Sequence, residues 1–545
     1  MARITVDGVE YEVQDGRTVL QALDDLGVLM NGVDVPHYCW HPKLSIDGSC
    51  RLCQVEIEGF PKLQIACNTP VKDGMVVRTD TERVRKAREG VMELLLVNHP
   101  LDCPICDKAG ECKLQDYAYD YGVPHARTRE PRRALKKRAD LGPTIVLDQE
   151  RCILCRRCVR FCREIPKTGE LAVFNRGDHS ELDVYEGYPL DNDYSMNVAD
   201  ICPVGALTTK DFRFKIRVWF LEDAPGVCTG CANGCNVYLG VANNKVYRYV
   251  PRRNDAVNDT WLCDEGRLSY KRIGAPDRLK QVAVRGPKGA LVPARRADAV
   301  AAAADGLRRV LEAHGAGAVA GVASAHACNE DLFVLRRLLG AIGAEGVVAV
   351  PTGRFDDLLI KPEKAANGTG ARALGFGDAR ALVERLRRGE LRALLVLGHD
   401  LLAPGLLADA GELARLEQVV LLDTHHSPLE RAAHVVFPAR HAAEREGTLT
   451  NHAGRVQRVA PAVEPPFEAY CEGEILAALG AALGLPGFDG RFDARAVARE
   501  LGREVPAFAG LDVDSVGPHG APLGSGGGEP EPRRPQAPPE ALQRA

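Results

Sequence analysis

The chain of 545 residues contains no apolar run long enough to cross a bilayer. Its best candidates, Ala393–Leu397 and residues 419–422, are the size of buried strands. It opens Met1-Ala2-Arg3-Ile4-Thr5-Val6-Asp7, without the apolar stretch and cleavage site of a signal peptide. Any membrane role is therefore expected to be peripheral, through a partner, with no direct membrane insertion. Basic excess is also missing. The net charge is −4 with 26% charged residues, which excludes an obvious nucleic-acid binder. No flavin or nicotinamide motif is found. Gly315, Gly317 and Gly321 are rich enough in glycine to suggest one, but they precede a strand instead of following it.

Cysteine is what the chain has in abundance. There are 18, and 16 of them fall in residues 1–263. A disulfide framework suits short secreted chains, and nothing here signals secretion. Clustered Cys-x-x-Cys spacing points instead to metal, with zinc and iron–sulfur both open until the spacings are read.

The first set is Cys39, Cys50, Cys53 and Cys67, separated by 10, 2 and 13 residues. Two short strands flank Asp7-Gly8, a hairpin signal, and Thr18 with Gln21 forms a capping box for a helix ending near Gly27. Strand, strand, helix and a cysteine loop together resemble a plant-type [2Fe–2S] ferredoxin. Zinc sites more often show two matched pairs. The second set is His99, Cys103, Cys106 and Cys112. A helical period over residues 82–97 must stop at His99, because Pro100 disfavours helical backbone before it. By spacing alone this set also suits zinc. The third set begins Cys152-x2-Cys155-x2-Cys158-x3-Cys162 and is completed by the distant Cys202-Pro203. The run resembles bacterial ferredoxins, in which the fourth cysteine serves a second cluster. No second triplet follows here, so Cys162 is read as a relic and the ligands as Cys152, Cys155, Cys158 and Cys202. The fourth set, Cys228, Cys231, Cys235 and Cys263, is spaced by 2, 3 and 27 residues. It resembles the N-terminal [4Fe–4S] domain of molybdopterin enzymes.

The full run from Asn98 to Cys112 resembles the His-ligated [4Fe–4S] motif of the large iron–sulfur subunit of NADH:quinone oxidoreductases (respiratory complex I). The resemblance is strong over residues 1–275 and weak over 276–505. It implies one [2Fe–2S] cluster and three [4Fe–4S] clusters on fifteen cysteines and one histidine, leaving Cys162, Cys328 and Cys471 without a role. It implies a β-grasp [2Fe–2S] ferredoxin domain at 1–80, a helical segment with a His/Cys-ligated [4Fe–4S] cluster at 81–140, and a bacterial-ferredoxin-like domain at 141–217. A molybdopterin-family [4Fe–4S] domain at 218–275 and a truncated, degenerate molybdopterin-oxidoreductase-like α/β domain at 276–505 follow. The expected class is thus multidomain, α+β and α/β.

In that last domain, residues 300–311 and 331–342 read as helices, and residues 318–322, 394–397 and 419–423 as buried strands, which predicts a parallel sheet. Residues 433–438, 444–451 and 454–457, with Asn329-Glu330, resemble the molybdopterin-oxidoreductase domain. Cys328 lies upstream of the place expected for a molybdenum ligand, so no molybdopterin is expected. Residues 506–545 are Gly- and Pro-rich and are expected to form a disordered tail. The basic run at 127–138 reads as a solvated face.

The resemblance further implies a conductor with no catalytic residues of its own. By that resemblance it would be an electron-transfer subunit of a translocase, peripheral at the cytoplasmic face of the cell membrane. FMN and NADH would sit on a partner flavoprotein subunit. Electrons would pass from it to the Cys39 set, the Cys152 set and the His99 set, then to a two-cluster ferredoxin-like subunit and the quinone-module subunits. The Cys228 set would lie off this path with a structural role. The alternative is the iron–sulfur subunit of an NAD-linked formate dehydrogenase or hydrogenase complex.

Overall fold

The structure, a computed structural model, describes residues 1–526. These divide into two compact units, Met1–Leu221 and the residues from Glu222 onward.

The first unit opens with a hairpin of Ala2–Val6 and Val9–Val13, turned by Asp7 and Gly8 at φ of 49° and 85°. Positive φ at both turn residues matches the twist of the flanking strands. Ala2–Val6 also pairs in parallel with Met75–Arg78, which is antiparallel to Gln54–Ile57, itself bordered by Gln64–Ile65. Along the first strand Ala2, Ile4 and Val6 point inward, where they meet Leu20 and Leu23 of the helix Val19–Asp25. The Thr18 hydroxyl accepts from the Gln21 amide at 3.3 Å and Gln21 Oε1 accepts from the Thr18 amide at 3.0 Å, closing the capping box.

Next come two helices, Glu82–Leu96 and Lys113–Tyr121. On the first, Val84, Arg88 and Met92 form a buried stripe at four-residue spacing. Arg88, 1% exposed, donates to the Tyr121 hydroxyl at 3.0 Å and to the Gln54 carbonyl at 3.2 Å, tying the helix pair to the sheet. The rest of this unit has only short elements. Ile145–Leu147 lies between Leu207–Thr209 and Ala139–Asp140, Leu171–Phe174 pairs with Glu181–Val184, and the helices Arg157–Glu164 and Asn197–Ile201 complete it.

The second unit begins with an antiparallel sheet of Glu222–Val227, Asn236–Ala242 and Lys245–Pro251. Its main body is an eight-stranded sheet. From one edge the order is Leu291–Pro293, Ala283–Arg285, Val435–Pro438, Gln418–Asp423, Ala393–Leu397, Val319–Ser324, Glu345–Ala349 and Gly377–Asp378. The last six run parallel. Ala393–Leu397 is apolar throughout because both of its faces are buried: Leu395 and Leu397 enter one core, Leu394 and Val396 the other.

Residues 506–526, expected to belong to a disordered tail, are instead ordered. Phe508, Leu511, Val513, Val516 and Ala521 are each at most 3% exposed, and Ala521–Pro522 pairs with Arg455–Val459. The Gly- and Pro-rich average hides apolar residues spaced to reach a core built by the rest of the unit. The remainder of the expected tail, 527–545, lies outside the described residues.

Candidate metal centres

The four thiols of the first set form one connected group. Cys39 is hydrogen-bonded to Cys50 and Cys67, and Cys67 to Cys53. Cys39, Cys53 and Cys67 are at most 1% exposed. Hydrogen bonds from Cys50 and then Cys67 pull the Cys39 thiol well below its ordinary range. The loop that brings them together needs left-handed backbone at Gly48 (φ 68°) and at Arg51 (φ 58°), between Cys50 and Cys53.

In the second set, His99 follows the end of Glu82–Leu96 and lines a cavity of about 770 Å³ with Cys103 and Cys112. Its Nδ1 is buried without a hydrogen-bond partner. Burial lowers the imidazole to about 4, so the ring is neutral at pH 7, the form that ligates metal. Cys106 is buried beside them, and a Cβ added at Gly205 would lie 2.3 Å from its sulfur. Glycine at 205, three residues past Cys202, therefore lets the Cys202 loop close on the second set. Arg217 donates to the Cys106 carbonyl at 2.6 Å, and burial pushes the Cys112 thiol up to about 11.

Cys152, Cys155, Cys158 and Cys202 all line one small cavity, of about 20 Å³, with Leu182 and Val204. Leu154 and Arg156 hold φ of 53° and 57° between the ligand candidates. Cys162 stands apart: its thiol is hydrogen-bonded to Glu170, and burial followed by that carboxylate raises it strongly.

The fourth set is buried throughout, none of its cysteines exceeding 7% exposure. Asn233 Nδ2 donates to the Cys235 sulfur at 3.1 Å and the Gly266 amide to the Cys263 sulfur at 3.2 Å. A Cβ at Gly266 would sit 3.0 and 3.1 Å from the Cys228 and Cys263 sulfurs, so this position too is closed to larger residues. Burial pushes Cys228 and Cys263 up to about 12.

Backbone amides donate to sulfur in two of the sets: Leu154 N–H to Cys152 at 3.4 Å and Gly266 N–H to Cys263 at 3.2 Å. Such hydrogen bonds stabilise the thiolate, the form that binds metal, and tune iron–sulfur potentials. Spacing does not reveal them, since they depend on the conformation of the residues inside the loops. Among the described residues no three of His, Cys, Asp and Glu converge on one point as the ligands of a single metal ion do.

The second unit also holds a crevice that the sequence reading missed. After Val319–Ser324 the chain moves outward to Glu345–Ala349 and Gly377–Asp378, then returns to Ala393–Leu397 on the other side. At this switch point, beyond the carboxyl ends of the strands, lies a cavity of about 200 Å³ lined by Ser324, His326, His399, Asp400, His425 and His441. Its polar groups are largely engaged with each other: Ser324 donates to Asp400 at 2.9 Å, and His399 lies 2.9 Å from Asp423. No cysteine lines it. Cys328 is buried at the start of the helix Asn329–Ile342 against Gly447, and Cys471 is buried at the start of Glu472–Ala482. The signal for the crevice was the alternation of buried strand and polar loop.

Family models match most of the chain in pieces. Residues 1–82 match a 2Fe-2S iron–sulfur cluster binding domain, 88–127 the NADH-ubiquinone oxidoreductase-G iron–sulfur binding region, and 142–208 the ferredoxin-like domain of NADH-quinone oxidoreductase subunit 3. Residues 223–274 match the molybdopterin oxidoreductase Fe4S4 domain and 351–482 molybdopterin oxidoreductase. The chain is thus a multidomain iron–sulfur protein of mixed α/β build.

Relatives narrow the class. The NADH-quinone oxidoreductase G subunit of Rickettsia conorii is 41% identical over 344 residues, 63% of this chain and 50% of that protein. The mitochondrial NADH dehydrogenase [ubiquinone] iron–sulfur protein 1 of Solanum tuberosum is 38% identical over 380 residues, 70% of this chain and 50% of that one. The NADPH-Fe(3+) oxidoreductase subunit alpha of Geobacter sulfurreducens is 37% identical over 401 residues, 74% of this chain and 45% of that protein. Over the matched residues the chain is similar to the iron–sulfur G subunits of NADH-quinone oxidoreductases, and it carries the iron–sulfur domains that their family models describe. It spans about half the length of the curated relatives it matches. No helix among the described residues is long and apolar enough to cross a membrane.

Proposed function

We propose that this chain is an electron-transfer subunit of an NADH:quinone oxidoreductase. It would relay single electrons from an NADH/FMN-binding subunit toward quinone, in a complex that couples the transfer to proton translocation. One [2Fe–2S] cluster would be held by Cys39, Cys50, Cys53 and Cys67. Three [4Fe–4S] clusters would be held by His99, Cys103, Cys106 and Cys112, by Cys152, Cys155, Cys158 and Cys202, and by Cys228, Cys231, Cys235 and Cys263. Bound clusters supply reversible one-electron transfer. The chain supplies the thiolates, a neutral imidazole, amide hydrogen bonds to sulfur and shielding from water.

The observation that carries this reading is the convergence of Cys152, Cys155, Cys158 and Cys202 on one cavity, with amide N–H groups donating to sulfur at Cys152 and Cys263, joined to a buried His99 nitrogen that lacks a hydrogen-bond partner. Every set is complete with four protein ligands, which argues for conduction over substrate chemistry, so flavin and quinone sites belong to partner subunits. Location at the cytoplasmic face of the cell membrane, through partners, is part of the same proposal.

A second reading, an iron–sulfur subunit of another NAD(P)-linked oxidoreductase, is favoured by the Geobacter relative, whose match covers 74% of this chain. The test is anaerobic NADH addition to the complex purified through a tag on this chain. Reduction of its EPR signals that is reoxidised by added quinone supports the first reading. Reduction that only a soluble acceptor reverses, with no quinone reactivity, sinks it.

A further inference from the structure

Two arginines on the helix Arg157–Glu164 reach from the third set to the first. Arg157 donates to the Trp40 carbonyl at 2.5 Å and to the Ile201 carbonyl at 3.2 Å. Trp40 follows Cys39, and Ile201 precedes Cys202. Arg160, 8% exposed, donates to the carbonyls of Cys39 and Ser45 and, at 3.4 Å, to that of Cys155. Every acceptor is a backbone carbonyl on a ligand loop, and each arginine contacts the loops of both sets.

None of these acceptors carries charge. The Nε of each arginine is buried without a partner, and among the described residues neither guanidinium is ion-paired to a carboxylate. Of the nearby acids, Glu164 accepts from Ser45, and Asp47 lies 3.9 Å from the exposed Arg156 with its Oδ2 buried and unpartnered. A buried cation without a counter-charge is costly. The groups that act electrostatically on Arg157 are sulfurs, those of Cys155, Cys50, Cys39 and Cys202, which carry negative charge once they ligate a cluster.

We propose, resting on the cluster reading above, that Arg157 and Arg160 are positioning residues that clamp the Cys39 and Cys152 loops together and raise the reduction potential of the clusters held there. Thiolate-ligated clusters carry net negative charge and gain more on reduction, so a fixed cation in low dielectric favours the reduced form. The two clusters share the same pair of cations, so removing one cation lowers both potentials together.

The test uses the full chain purified anaerobically, with iron and acid-labile sulfide counted and each EPR signal titrated against potential. Arg157→Gln and Arg160→Gln should retain iron while the reduction equilibrium of both signals falls about tenfold, a shift of about 59 mV to lower potential. Arg157→Lys and Arg160→Lys should stay near the parent values. Arg156→Gln, on the exposed neighbour, should change neither signal. Should the Gln variants lose iron while the Lys variants keep it at parent potentials, the required charge is confirmed through loading. Full iron with unchanged potentials in the Gln variants overturns the proposal, as does equal loss of iron in Gln and Lys variants. A parent chain without sulfide would instead refute the cluster reading itself.

Discussion

Residues 1–221 and the residues from Glu222 onward are held together by different means. In the second unit a parallel sheet buries aliphatic side chains on both faces, and buried ion pairs hold it, as in Arg278 with Glu444 at 2.8 Å and Arg445 with Asp331 at 2.8 Å. In the first unit, past residue 97, strands are two to four residues long, buried polar groups include arginines without carboxylates, and the loops converge on thiols. A segment with so little regular structure buries too little apolar surface to fix its own loops. On the cluster reading, metal binding and folding would be coupled in the part of the first unit past residue 97, whereas residues 2–77 and the second unit carry cores of their own.

The sharpest break in this comparison is at the fourth cysteine set. Cys228→Ala should remove the fourth cluster and with it the anchor of residues 223–274. The expected outcome is loss of most assembled complex, read as yield from a tag on this chain, with transfer per assembled complex preserved. Normal assembly with collapsed transfer would place this site on the conduction path.

The next effect is local to the first unit. Gly205→Ala forces a Cβ to 2.3 Å from the Cys106 sulfur, so one [4Fe–4S] signal should vanish from the EPR spectrum while the thermal transition of the second unit is unchanged. A milder change is His99→Cys. The fourth thiolate should keep a cluster in place and lower its potential, because it adds negative charge where a neutral imidazole stood. An unchanged midpoint in a redox titration would count against His99 as a ligand.

The smallest effect belongs to the second unit alone. Burial raises the Glu330 carboxyl to about 7, although it accepts from the Thr448 amide at 2.8 Å and hydroxyl at 2.7 Å. With the folded value above the unfolded one, the native state binds the extra proton. Its contribution to stability is then fully present below about pH 4.5 and is lost as pH rises through about 7, by at most about 3 kcal/mol. Glu330→Gln should flatten that part of the stability–pH curve, and denaturant titrations at several pH values would show it. An equally steep curve in the variant would remove Glu330 from the account.

Much of this was legible in the chain itself. The hairpin at Asp7-Gly8, the Thr18–Gln21 capping box, the stop before Pro100 and the apolar strand Ala393–Leu397 follow from local rules, and the structure contains each of them. The grouping of the cysteines was legible as spacing. What spacing could not show was contact between loops: Gly205 against Cys106, or Arg160 across from Cys155 to Cys39, 121 residues away in sequence from the carbonyl it reaches. Nor could composition show that Phe508, Leu511 and Val516 find a core, since Gly and Pro dominate the local average while burial is decided by distant partners. The crevice beside His399 and His441 needed the strand order, which only the crossover from Gly377–Asp378 back to Ala393–Leu397 establishes.

The central claim is that sixteen side chains form four complete iron–sulfur coordination shells. Chemical analysis of the anaerobically purified full chain tests it most directly. The account predicts about 14 iron atoms per chain with a matching amount of acid-labile sulfide. Zinc at one or a few atoms per chain, with little iron and no inorganic sulfide, would contradict it.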